Sequence, residues 1–321
     1  MKNFEHVNAA SAASAVSLLA AKGTSRPIAG GTDLLTQMKL GIVEPDRLVN
    51  LKTISGLNSI TAGETGLTIG ALATLDSIGS NRVVREIYPA LARAIEVAAS
   101  PQLRNLGTIG GNLAQSSRCW YYRGQFQCWL KGGDVCQAKD GENSRHAILG
   151  GGPCYTVHPS DPTPALIVLG AEASIVGPKG ERTIAVEDLF QLPHEGSRQL
   201  TTLEPQEIIT SVRVPAPAPG SKGIYLKAME RKVWAFALVS VAVQLVMDGD
   251  MVRDARVVLG GVAPRPWRLP QTEKALRNRH RTQAVVSDAA ELAIKGAQPI
   301  GHNRYKIALV KAMVKEALSS I

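Results

Sequence analysis

Two pairs of adjacent glycines constrain this chain more than any other feature. One lies in P-I-A-G-G-T-D-L-L (27–35), the other in N-L-G-T-I-G-G-N-L (105–113). Adjacent glycines let the backbone reach positive φ and approach a ligand with no Cβ in the way, so their N–H groups can converge on an anion such as a pyrophosphate. The first turn follows an extended P-I-A and precedes a helix expected from about Asp33, the order of strand, tight turn and helix start that favours a phosphate. Neither turn is G-x-G-x-x-G or a Walker loop, so neither a nicotinamide-type Rossmann site nor an NTPase follows. Each alone reads as an ordinary turn; as a pair they can grip the two ends of one pyrophosphate.

Around the turns, 321 residues with 45% apolar content allow a substantial core and about two domains. Strand-like runs at 3–7, 27–29 and 47–50 alternate with helical ones at 9–22 and from 33, giving a small α/β unit. A strand at 67–70 and helical periodicity over 83–99 follow, stopped by Pro101. Asp161 before Pro162 reads as an N-cap with proline in the first turn. Strands come next near 172–176 and 207–214. Then R-V-P-A-P-A-P-G-S-K-G (213–223) has the strongest linker composition and marks the main boundary. Beyond it, strands are expected at 224–229, 238–247 and 251–259, the last two joined through Asp248-Gly249. Helices are expected at 270–279, 284–296 and 303–319, the last with apolar residues at 307, 310, 313, 314, 317 and 318 on one stripe. The class is α/β (α+β): residues 1–218 form one domain with subdomains at about 1–57 and 58–218, and 219–321 form an α+β C-terminal domain.

The net charge of +9 is scattered, with one cluster at Arg277, Arg279 and Arg281 around His280, and aromatics are only 4%. That is too sparse for base stacking, so the basic surface reads as a solvated face or a dock for an acidic partner, not a nucleic-acid site. No apolar run approaches the roughly 20 residues of a bilayer span. The longest, 235–247, holds Ser240 and Gln244 and reads as a buried strand. The alanine-rich start is interrupted by Glu5, His6 and serines at 11, 14 and 17, so it reads as an amphipathic helix and not a secretory signal. A cytoplasmic chain is expected, or a periplasmic one if co-exported with a partner.

All four cysteines, Cys119, Cys128, Cys136 and Cys154, follow the second turn, spaced C-x8-C-x7-C-x17-C in an aperiodic stretch. Four thiols suit a tetrahedral ligand set, and a metal would organise a loop that has no core of its own. Structural zinc normally shows a tight C-x(2–4)-C pair, absent here, and is disfavoured; disulfides remain open for an exported protein. His146 and His158 lie nearby as ligand or proton-carrier candidates, although a loop histidine is more often a surface residue. No Ser-His-Asp set, paired carboxylates or H-E-x-x-H is present, so no catalytic residue is assigned and any redox chemistry belongs to cofactors.

The ordered set A-G-G-T-D-L-L (29–35), I-G-A-L (69–72), T-I-G-G-N-L (108–113), H-P-S-D-P-T-P-A-L (158–166) and Y-L-K (225–227) resembles the FAD-binding subunits of the molybdenum hydroxylases. These include xanthine dehydrogenase, carbon monoxide dehydrogenase, aldehyde oxidoreductase and 4-hydroxybenzoyl-CoA reductase. The resemblance covers essentially the whole chain. It implies the two-part FAD-binding domain of the carbon monoxide dehydrogenase flavoprotein type, with the α+β domain after it. Ala29, Gly30, Gly31, Thr32 and Asp33, with Leu34 beside them, would contact the FAD pyrophosphate and ribityl region. Thr108, Gly110, Gly111 and Asn112 would form the second clamp, Asp161 would be the acidic residue at the cofactor, Ile209 would line the flavin pocket and Lys227 would lie near the ring.

In most of the family the second motif runs quickly into the S-D of the next, whereas here a cysteine-bearing insertion of about 114–157 intervenes. It is similar to the one that holds an extra [4Fe-4S] cluster in 4-hydroxybenzoyl-CoA reductase and in periplasmic-type aldehyde oxidoreductase, which would make the four cysteines its ligands. The implied protein is an electron-transfer subunit of a heterotrimer. A large subunit would hold molybdopterin, a small subunit [2Fe-2S] centres, and an external acceptor would take electrons from FAD after oxidation of an aldehyde or a xanthine-type substrate. The alternatives are a reductase subunit taking electrons from a ferredoxin donor and, from another class, a zinc-stabilised binding protein. The flavin and thiolate sites are expected to be separate.

Overall fold

The computed structural model describes every residue except Lys22, and the last position of the helix expected over 9–22 therefore lies outside the described residues. Among the described residues the strands form three sheets. The first holds β1 (Glu5–Asn8), β2 (Ser25–Ile28) and β3 (Arg47–Asn50), all parallel, with β3 in the middle. Parallel neighbours need crossovers, and the helices Ala12–Ala20 and Leu34–Lys39 supply them. Ser11 starts the first with a reciprocal capping box through Ser14. The first glycine turn leaves the C-terminal end of β2, the end of a parallel strand where ligand crevices form.

The second sheet is antiparallel in the order β4 (Ile60–Gly63), β5 (Gly66–Gly70), β8 (Ile208–Pro215), β6 (Glu172–Gly177) and β7 (Gly180–Ala185). In the third, β9 (Ser221–Ala228), β10 (Val239–Asp248) and β11 (Met251–Gly260) form a meander. Helices Pro270–Leu276, Gln283–Leu292 and Tyr305–Ser319 cover one face of it, while Pro89–Glu96 and Pro162–Val168 pack on the other. The strand β10 therefore reads as a nearly unbroken apolar run. Val239, Val241, Val243 and Leu245 enter the core under the C-terminal helices, and Ala242 enters the core shared with the second sheet. Among the described residues no helix is long and apolar enough to cross a membrane.

Four local expectations change. The periodicity over 83–99 is two helices, Arg82–Ile87 and Pro89–Glu96, because Pro89 has no N–H to continue the first ladder and takes the opening position of the second. Pro101 opens another short helix, Pro101–Leu106, capped by Ser100, instead of only ending one. The β10–β11 hairpin turns on Gly249 and Asp250, since Asp248 itself pairs with Met251. The strand β7 was not expected, as G-E-R-T-I-A is polar and forms an exposed edge.

Glu273 ties the C-terminal layers together. It is 1% exposed, and its carboxylate accepts from Val257 N (3.1 Å) and from Arg268 through Nε (2.9 Å) and Nη2 (3.1 Å). Glu273→Ala would leave a half-buried guanidinium and a buried N–H without their acceptor, and such losses cost about 3 kcal/mol. A clearly lowered urea midpoint is expected, with Glu273→Gln losing less.

Candidate functional site

A cleft of about 650 Å³ opens where the first glycine turn, the second turn, the loop preceding β8 and the segment 234–236 meet. Gly30 explains why the turns meet. A Cβ at this residue would stand 1.9 Å from the carbonyl oxygen of Leu106, so only glycine allows the first turn to rest on the backbone leading into the second. Gly31 has φ +72° and swings the chain into the helix Leu34–Lys39.

All the expected cofactor residues except Lys227 line the cleft: Ala29, Gly30, Gly31, Thr32, Asp33 and Leu34, then Thr108, Gly110, Gly111 and Asn112, and finally Asp161 and Ile209. The two turns are not equivalent. Among the described residues none of the backbone N–H groups of residues 30–34 has a protein acceptor. In the second turn the N–H groups are spent internally. Ile109 and Gly110 donate to Ala73 and Ala71 carbonyls, Gly111 to the Thr108 hydroxyl (3.2 Å), and Asn112 to the Thr108 carbonyl. The matched pair of amide cradles read from the sequence is thus one amide cradle, facing a wall that offers Thr108, Asn112 and bare glycine backbone.

Asp161 precedes the helix Pro162–Val168 but does not cap it. Ser160 does, with its Oγ accepting from Thr163 N (3.2 Å). The Asp161 carboxylate instead accepts from Tyr225 Oη (2.8 Å) and Lys227 Nζ (2.8 Å), and Lys227 also donates to Val97 O (3.0 Å). That pairing draws Lys227, 1% exposed, behind the wall of the cleft. Burial pushes the Asp161 carboxyl upward against the pull of Lys227 and the Tyr225 hydroxyl, and it pushes the Tyr225 hydroxyl well above its ordinary value.

Sequence reading missed the loop before β8, from Arg198 to Glu207, and two further sets of cleft residues. One is the rim at 234–236, where Trp234 and Phe236 are 62% and 50% exposed and Trp234 holds φ +55°, its N–H bonded to Ala99 O; Ala99 itself has φ +49°. The signal was there in R-K-V-W-A-F (231–236), where two of the chain's few aromatics stand a few residues after Y-L-K. The other is the cysteine-bearing stretch itself, which lines the cleft with Ser116, Arg118, Tyr122 and Leu130, so the two sites expected to be separate share a wall.

The cysteines form no disulfide. Burial pushes the Cys119 and Cys128 thiols up, against the opposite pull of nearby backbone N–H groups at 121–122 and 130–131; such groups at 138, 139 and 155 pull Cys136 down and that of Thr156 pulls on Cys154. Cys136 accepts from Cys154, which lowers the first thiol and raises the second, while burial lifts Cys119 to about 11. His146 Nε2 lies 3.1 Å from Cys119 Sγ. Among the described residues no three His, Cys, Asp or Glu side chains stand close enough to hold one metal ion. His158 does not face the cysteines; it is buried against Phe190 (centroids 4.5 Å apart) with Nε2 3.4 Å from Thr163 Oγ1.

Comparison with known proteins gives a consistent answer. The family model described as FAD binding domain in molybdopterin dehydrogenase matches residues 2–217, and that of the CO dehydrogenase flavoprotein C-terminal domain matches 224–321. The chain is 37% identical over 297 residues to the aldehyde oxidoreductase FAD-binding subunit of Escherichia coli K12, covering 91% of this chain and 90% of that one. It is 30% identical over 323 residues to the carbon monoxide dehydrogenase medium chain of Hydrogenophaga pseudoflava (99% and 96% covered). The structure of carbon monoxide dehydrogenase from that organism, in a form lacking the Mo-pyranopterin moiety, superposes with a TM-score of 0.79 at 29% identity over 99% of this chain and 96% of that one.

The buried His158 gives a pH prediction. Burial lowers its pKa from 6.5 to about 3, so the fold holds it neutral while the unfolded chain protonates it. Its stabilising contribution is complete above about pH 6.5 and is lost as pH falls towards 3, at up to about 1.4 kcal/mol per pH unit. Urea midpoints measured between pH 7 and 4.5 should fall less steeply in His158→Gln than in the parent.

Proposed function

The chain belongs to the family of FAD-binding subunits of the molybdenum hydroxylases, and from that premise we propose that it is the flavin and iron–sulfur subunit of a heterotrimeric dehydrogenase. A molybdopterin-bearing large subunit would oxidise the substrate, and a small subunit with [2Fe-2S] centres would carry the electrons here. The aldehyde oxidoreductase subunit among its relatives, at 37% identity, favours an aldehyde as the substrate class. Residues 1–218 would form the FAD-binding domain and 219–321 the C-terminal one, in line with matches at 2–217 and 224–321.

One arrangement carries the reading: a row of acceptor-free N–H groups at 30–34 lines a 650 Å³ cleft, and part of that cleft's wall is the stretch bearing all four cysteines. Free amides at the Gly30-Gly31 turn suit a pyrophosphate, since they offer several donors with no side chain in the way. Asn112 and Thr108 stand across from them for ribityl or phosphate hydroxyl and oxygen atoms, and Ile209 supplies an apolar surface for a ring. FAD, when bound, supplies conversion between electron pairs and single electrons.

The cysteine spacing, with no tight C-x(2–4)-C pair, and the resemblance of the insertion to cluster-bearing ones support an iron–sulfur cluster over a single zinc ion. Backbone N–H groups beside each sulfur pull its thiol towards the thiolate that iron binds, against the burial that raises Cys119 and Cys128. Cys119, Cys128, Cys136 and Cys154 would hold it, and a [4Fe-4S] cluster supplies a one-electron site whose potential depends on local charge, solvent access and hydrogen bonding at the sulfurs.

The full chain, purified anaerobically with its partners, should contain one flavin and about four irons. Its spectrum should show broad thiolate-to-iron absorption under the flavin bands. A colourless chain, or one holding zinc without iron, would refute the proposal in its flavin or its cluster half respectively. Gly30→Ala should reduce bound flavin to less than about a tenth of the parent's, because the new methyl meets the Leu106 carbonyl and separates the turns; flavin absorbance per chain measures this.

A further inference from the structure

The first glycine turn contains an acidic residue where an anion is to be bound. Asp33 lies within the acceptor-free row of N–H groups at 30–34, and a bare carboxylate there would repel a diphosphate. Its charge is met from far along the chain. Arg123 Nη2 lies 2.7 Å and Arg118 Nη2 3.2 Å from Asp33 Oδ1, while Ser116 N donates to Oδ2 at 2.9 Å. The pairing is largely shielded, with side-chain exposures of 14% for Asp33 and 13% for Arg123. Gln37 Nε2, one turn along the same helix, also donates to Asp33 Oδ2 (3.1 Å), but both cations and Ser116 belong to the cysteine-bearing stretch, where Arg118 and Arg123 bracket Cys119. Arg118 also lines the cleft, and its Nε and the Arg123 Nη1 are buried without an acceptor among the described residues.

A second tie reaches the same stretch from the other side of the cleft. Arg198, itself a cleft residue, donates through Nη1 to the carbonyls of Trp129 and of Gly133 (2.8 Å), and its guanidinium lies 4.8 Å from the Trp129 ring centroid. It thereby fixes the loop between Cys128 and Cys136.

We infer that Arg123, with Arg118, is a positioning residue for the flavin dinucleotide: the cysteine-bearing stretch neutralises Asp33 in the phosphate cradle, and order in that stretch and FAD affinity are therefore coupled. The inference rests on the proposed flavin cleft. Two guanidinium groups against one carboxylate turn a repulsive position into one with a net positive charge beside the N–H row. Because Arg118 and Arg123 are held in place by the loop that carries Cys119, whatever orders that loop also strengthens the cradle. By linkage, FAD must in turn favour the ordered loop.

The test uses the full chain, stripped of flavin by high salt and titrated with FAD while flavin fluorescence is followed, with iron content and circular dichroism measured on each sample. Arg123→Ala should weaken FAD binding tenfold or more. Arg123→Lys, which keeps the charge and loses the fork, should weaken it two- to fivefold. Adding Asp33→Asn to Arg123→Ala should recover most of the loss, since the repelling charge is then gone; a merely structural role for Arg123 predicts no such rescue. Arg198→Ala, and the parent after oxidative loss of its iron, should each bind FAD at least threefold more weakly. The inference is overturned if folded Arg123→Ala binds FAD within twofold of the parent, or if Asp33→Asn fails to rescue it. A parent that binds FAD but no iron defeats the cluster assignment alone, and one that binds no FAD defeats the cleft reading itself.

Discussion

The site depends on a contact between two stretches of backbone. The first parallel unit and the antiparallel sheet behind it come together where Gly30 lies against the Leu106 carbonyl, and nothing larger than hydrogen fits between them. Helices Leu34–Lys39 and Ile109–Leu113 then start on opposite sides of one crevice. The same closeness fixes what each turn can offer. The second turn lies along 71–73 and gives its N–H groups to that strand end and to its own Thr108. The first has no such neighbour, so its N–H groups stay available. An unpaired amide in a partly buried turn is costly unless a ligand or water completes it. The row at 30–34 therefore marks the side of the cleft where an anion is needed.

The charges around the cleft follow from burial. Asp33 and Asp161 both line it, and each is answered by cations distant in sequence. Arg123 lies 90 positions from Asp33, and Lys227 lies 66 from Asp161. A buried carboxylate without such a partner would cost several kcal/mol or be forced to take up a proton. The two answers differ in direction. Asp161 is pulled back with Lys227 and Tyr225 into the seam between the second and third sheets, where it joins layers; Asp33 stays at the front and joins the turn to the cysteine-bearing stretch.

This is also where reading the sequence alone stops. Strands β1, β3 and β10, the hairpin and the long C-terminal helix are legible because local alternation or helical spacing decides them. The cleft residues of both turns are legible as glycine motifs, as Gly30 and Gly110 show. What is not legible needs partners remote in the chain. Ala71 and Ala73 carbonyls consume the second turn's donors, Asp161 takes Lys227 away from the cleft, and Ser160 takes over the cap that Asp161 was expected to provide. The rim aromatics escape for another reason. Trp234 and Phe236 follow no period, and their importance lies in being exposed beside a crevice, which composition cannot reveal.

The irregular stretch that bears the cysteines raises the question of how a loop stays ordered with almost no ladder of its own. Its buried carbonyls are answered by side chains. Asn143 Nδ2 donates to Ala138, Gly141 and Ile300, Asn303 Nδ2 to His146 and Ala147, and Lys306 Nζ to Arg145 (3.0 Å) and Gly261 (2.7 Å). Lys306 is fully buried, and burial lowers its pKa to about 7, so the C-terminal helix carries a desolvated amine chiefly to hold this loop. Several of the loop's own N–H groups close tight turns on its remaining carbonyls, Lys131 and Gly133 on Cys128 and Lys139 on Cys136. Those turns bring the cysteines under cover, and burial pushes the Cys119 and Cys128 thiols up, towards the neutral form. The loop is thus held from outside, chiefly by the C-terminal domain, and a bound cation would be what deprotonates sulfurs that burial otherwise keeps neutral.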